Sequence, residues 1–83
     1  MMLDTLAHAR HLERAGLERR LAEAYTVALN RNVIRRMAEG LEPDLARYIA
    51  DLVEAGVERR VAEAHADALE RYVVPELREE RGR

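Results

Sequence analysis

An all-α protein of two tandem helix-turn-helix (αα-hairpin) repeats, packed as a small four-helix bundle, is what this sequence predicts. Three observations predict it. Apolar residues recur at helical spacing and no stretch alternates in the strand manner. A segment repeats after forty residues, and a glycine interrupts both copies of the periodic run at the same place.

His11 to Ile34 aligns with Asp51 to Val74, and 13 of the 24 positions are identical. The shared frame is Leu12, Ala15, Gly16, Glu18, Arg19, Arg20, Ala22, Glu23, Ala24, Ala28, Leu29, Arg31 and Val33, recurring as Leu52 through Val73. Apolar exchanges fill further positions: Leu17 with Val57, Leu21 with Val61 and Ile34 with Val74. Such a duplication predicts that both copies bury the same face.

Taken in order, the first helix is expected over 3–15. It ends at Gly16, where an alanine, a glycine and an apolar residue spell a left-handed cap with its hydrophobic contact. A longer helix follows over 17–39. In the connection Gly40-Leu41-Glu42-Pro43-Asp44, the glycine lies past one helix end, the proline suits the first turn of the next, and Asp44 favours the macrodipole. The third helix, 43–55, carries Leu45, Ile49, Leu52 and Val53 at spacings of four and three before Gly56 repeats the cap. The fourth, 57–74, continues with Val57, Val61, Ala64, His65, Ala68, Leu69, Tyr72 and Val73. Pro75 lacks a donor and pushes Val74 from helical angles, so the helix should stop or kink there, leaving a charged tail. The domain is thus a single one over 1–83, with repeat 1 at about 3–39, repeat 2 at about 43–74 and the tail at 75–83.

Composition narrows the function. A chain of 83 residues has a thin core, and without cysteine neither disulfides nor thiolate-metal sites reinforce it. Oligomerisation is the remaining remedy. The 14 basic residues, all arginine, nearly cancel 16 acidic ones, so no overall field draws in a polyanion. Arginine without lysine fits a GC-rich genome and equally fits arginine-carboxylate networks for heat resistance. With three tyrosines and no Phe or Trp, the core must be aliphatic. No apolar run could span a bilayer, and Met1 to Arg10 lacks a charged start leading into an apolar block; a cytoplasmic location without membrane contact is expected.

Asp4, His8 and His11 fall at i, i+4 and i+7, the one metal-like cluster. The second copy has Tyr48 and Asp51 at the histidine positions, and a fourth ligand is missing. Ordinary surface histidines are therefore expected, with no metal or cofactor assigned. His65, at the position of Tyr25, falls on the face expected to be buried, either as a core-edge histidine or as a pH-dependent switch. Arg31, Arg35 and Arg36, with the glycine-turned hairpin, give the alternative of a small nucleic-acid-binding regulator of helix-turn-helix type. Against it, Glu23 and Glu63 would face phosphate. Arg19 with Glu23 and Arg59 with Glu63 fit i, i+4 pairs on a solvated face, worth ~0.2 to 0.5 kcal/mol each. Nucleic acid is therefore not the expected partner. There is no serine, threonine occurs only at Thr5 and Thr26, and no glycine-rich phosphate loop is present; an enzyme is not expected.

Long helices of ~20 residues reach about 30 Å, beyond partners of about 13 residues. Val33, Ile34, Met37, Val73 and Val74 at their ends are then expected to lack cover within one chain, while Tyr25, Tyr48 and Tyr72 suit interface edges. The reading is a non-enzymatic protein-protein interaction or assembly module, acting as a homo-oligomer and most simply as a symmetric dimer. Its expected interface comprises Tyr25, Val33, Ile34, Met37, Tyr72, Val73 and Val74, with a different protein as the second class of partner.

Leu3-Asp4-Thr5-Leu6, Leu12-Glu13-Arg14-Ala15-Gly16-Leu17 and Leu21-Ala22-Glu23-Ala24, echoed by Leu52-Val53-Glu54-Ala55-Gly56-Val57 and Val61-Ala62-Glu63-Ala64, carry one further observation. This pattern resembles the amino-terminal head of the coiled-coil family comprising the mitochondrial calcium uniporter regulator and its prokaryotic relatives. The resemblance covers most of 3–34 and 44–74 and implies an oligomerising, protein-binding helical head. The neck, coiled-coil stalk and membrane anchor of that family have no counterpart here, so membrane attachment, calcium handling and a subunit number are not carried over.

Overall fold

The computed structural model of the protein describes residues 5–81, with side chains from 16 and 18–80. Among the described residues all regular structure is helical, in three continuous rods rather than four helices. The first rod joins α1 (Thr5–Leu29), a π-helical turn (Asn30–Ile34) and α2 (Arg35–Ala38). The second is α3 (Leu45–Glu54). The third joins α4 (Arg59–Ala68), a π-helical turn (Leu69–Val73) and α5 (Val74–Arg81).

Both rod ends that close on glycine do so through the same hydrogen bonds. After α2, the Leu41 N–H donates to Arg36 O at 2.8 Å and Gly40, at φ 86°, donates to Met37 O at 3.1 Å. After α3, Val57 donates to Leu52 O and Gly56 to Val53 O, each at 3.0 Å, with Gly56 at φ 105°. These paired bonds satisfy the last carbonyls of the helix, and Leu52 and Val57 supply the hydrophobic contact across the second turn. The start of α3 is fixed by Asp44, whose carboxylate accepts from the Arg47 N–H at 2.9 Å.

Gly16 departs from the expected turn, since α1 runs through it without a break. The cause lies in what each hairpin would bury. Ahead of Gly56, α3 offers Leu45, Tyr48, Ile49, Leu52 and Val53; the matching positions ahead of Gly16 are Thr5, His8, Ala9, Leu12 and Glu13. Turning back would give the first copy one modest apolar contact at the expense of the helical hydrogen bonds lost at the break, and one glycine inside a helix costs only about 1 kcal/mol. Nor does Pro75 end the last helix. The π turn directly before it widens the backbone where the proline ring and its missing donor would otherwise break the ladder.

Two reversals return the third rod to the direction of the first, with α3 wedged between α1 and α4. One core cluster forms around α3 from Ala28, Tyr48, Leu52, Val57, Ala62 and Ala66. A second forms where α2 meets α5, from Val33, Met37 and Val74 with Leu77 against them. On the first rod, Leu21 is the first described side chain to join either cluster. The result is elongated, 58 × 26 × 19 Å, with a radius of gyration of 16.8 Å. A compact chain of this length would have about 12 Å.

Candidate functional site

A polar node joins the first rod to α3. Asn32, in the first π turn and 3% exposed, is the one buried polar residue among those described. Its side-chain N–H groups donate to Ala28 O at 3.0 Å and to Asp51 Oδ2 at 2.8 Å. Its backbone carbonyl accepts the Asp44 N–H of the inter-repeat connection at 2.8 Å. Asp51 also meets Arg47 Nε at 3.2 Å and Arg31 Nη1 at 3.9 Å. A carboxylate so occupied by partners of its own chain fastens elements together.

Beside this node lies an open groove of about 470 Å³ between α1 and the end of α3, lined by Arg20, Glu23, Val27, Arg31, Asp51 and Glu54 among others. Its charges are mixed, which gives no single-sign field for an anion or a cation. A smaller groove of about 300 Å³, lined by Ile34, Met37, Ala38, Leu77 and Glu80, marks the paired ends of the two long rods.

The expected interface residues separate into three groups. Val33, Met37 and Val74 are buried within the chain, which corrects the expectation that these ends lack cover: α2 and α5 lie against each other and enclose them. Tyr25 and Val73 are half-buried. Ile34, at 42% exposure, and Tyr72, at 66%, remain open to solvent. Tyr48 is a core residue rather than an edge, and burial, with a smaller contribution from Tyr25, raises its phenol above the ordinary value of 10.0.

His65 is exposed rather than buried, and its ring lies 4.6 Å from that of Tyr25, its own counterpart in the first copy. Asp4 lies outside the described residues, as do the side chains of His8 and His11. Among the described residues no group of three histidines or carboxylates could hold a metal ion. Of the arginines that suggested nucleic acid, Arg31 is turned to Asp51, and Arg36 Nε donates to Glu42 O at 2.8 Å. Among the described residues, i, i+4 ion pairs join Arg47 with Asp51 and Asp67 with Arg71, in place of the two expected from Arg19 and Arg59. No described helix is long and apolar enough to cross a membrane.

The polar node was not anticipated from the sequence. Its signal is an asparagine on an otherwise apolar face, where the second copy has Tyr72, with an aspartate nineteen residues on, where the first copy has His11. Compared with known proteins, the chain matches no family model, no curated protein and no solved structure.

Proposed function

We propose that the protein works by binding copies of itself, as a non-enzymatic interaction or assembly module. The observation that carries this reading is surface area. The single chain exposes 6734 Å², whereas a compact monomer of 9.5 kDa would expose about 5,000 Å². The excess of roughly 1,700 Å² is about twice the ~800 Å² that each partner commits to a standard interface. Large apolar side chains populate this surface, among them Val27, Ile34, Val61 and Tyr72. The reading rests on this geometry and not on the resemblance to the uniporter-regulator head.

The test is light scattering coupled to size exclusion at tens of micromolar chain. The expected mass is a multiple of 9.5 kDa, most simply two copies. A mass of one chain at high micromolar concentration removes the reading.

A further inference from the structure

The two copies of the repeat bury different faces. Leu21, Ala24, Tyr25 and Ala28 of α1 are buried or half-buried, while their counterparts Val61, Ala64, His65 and Ala68 are all exposed. One residue round the helix the pattern inverts. Ala62, 0% exposed, and Ala66, 4% exposed, belong to the cluster around α3, yet their counterparts Ala22 and Thr26 lie open. The difference traces to the glycines. Turning at Gly56 lays α3 back along α4, whereas the unbroken helix at Gly16 carries residues 5–15 away from Ala22 and Thr26 of their own chain. Leu12, the counterpart of Leu52, stands about 15 Å along the rod from Ala22.

We propose that α1 of one copy lies antiparallel across α1 of a second copy, residues 5–15 of each seated on Ala22 and Thr26 of the other about a two-fold axis near Gly16. This rests on the self-association reading above and names its contact. The second repeat supplies the template, because there the same kind of face receives the preceding segment of its own unit, with Tyr48 and Leu52 sharing a cluster with Ala62 and Ala66. A chain that offers both a segment and the face for it, and cannot join them internally, is self-complementary and closes as an isologous pair. Thr26 is suited to being covered. Its hydroxyl already donates to Ala22 O at 2.8 Å, so burial leaves no unpaired donor.

The chain has no cysteine, so introduced pairs report cleanly. Leu12→Cys with Ala22→Cys, and separately His8→Cys with Thr26→Cys, are oxidised and run without reductant. A disulfide needs Cα atoms within about 7 Å, which a straight rod forbids within one chain. Covalent dimers from both pairs are expected, and A22E/T26E should weaken the dimer at least about tenfold by placing charges in the seat. Both positions are exposed in the single chain, and circular dichroism checks that its helices persist. An internal disulfide in a monomer overturns the proposal, because the first hairpin then closes on itself. It also falls if neither pair cross-links and the wild-type dimer survives A22E/T26E but is lost in I34D/Y72D, a result that leaves self-association standing. A monomeric wild type without cross-links removes both.

Discussion

Asp51 is where single atoms matter most. Its side chain is mostly shielded, at 13% exposure, while the side chains of Arg31 and Arg47 are about 60% exposed, so solvent screens both ion pairs and leaves them worth at most about 1 kcal/mol. The hydrogen bond from buried Asn32 is different, since losing the acceptor strands an amide donor away from water. Asp51→Ala should therefore destabilise the fold by about 1 to 3 kcal/mol in urea unfolding, and Asp51→Asn, which keeps an acceptor, by no more than about 1 kcal/mol. Equal losses would show that charge rather than the hydrogen bond holds the node. Tyr48 adds a pH dependence. Its phenol titrates higher in the folded chain than in the unfolded one, so the folded state retains the proton longer. Its contribution is complete below pH ~10 and is lost as pH rises from there through the folded value. The urea midpoint should fall across that alkaline window, and Tyr48→Phe should flatten the fall.

At the scale of elements, two glycines at matching positions of the repeat do opposite things. Gly56 sits at φ 105°, strained for any other residue, and Gly56→Ala should cost at least about 1 kcal/mol. Gly16 lies inside a helix with nothing within 4 Å of an added Cβ, so Gly16→Ala should raise stability by about 0.5 to 1 kcal/mol in dilute solution. A loss from both would place a turn at Gly16 after all. The second hairpin was legible because cap, periodicity and a strong apolar face agreed there. At Gly16 the cap motif was present and the apolar partner was not. The π turns left no legible mark, because a single added backbone register alters no residue type. They nonetheless decide which side chains face inward beyond Leu29 and Leu69.

For the molecule as a whole, the sequence disclosed an all-helical chain and its duplication, but not how the two units lean on each other. Length alone suggested bare ends at Val33, Met37 and Val74. The pairing of α2 with α5 covers those ends. Of the interface expected from sequence, Ile34 and Tyr72 keep their solvent contact, Ile34 on the wall of the groove at the paired rod ends. The polar node stayed hidden for a related reason: its two side chains come from different units, and no forty-residue comparison aligns them.

The uncovered row Val61, Ala64 and Ala68 has one more consequence. On α1 the same row is the platform to which the following unit is attached. The architecture therefore has no inherent final layer: a gene lengthened by another tandem copy could stack its short helix there without disturbing what precedes it, as solenoids grow.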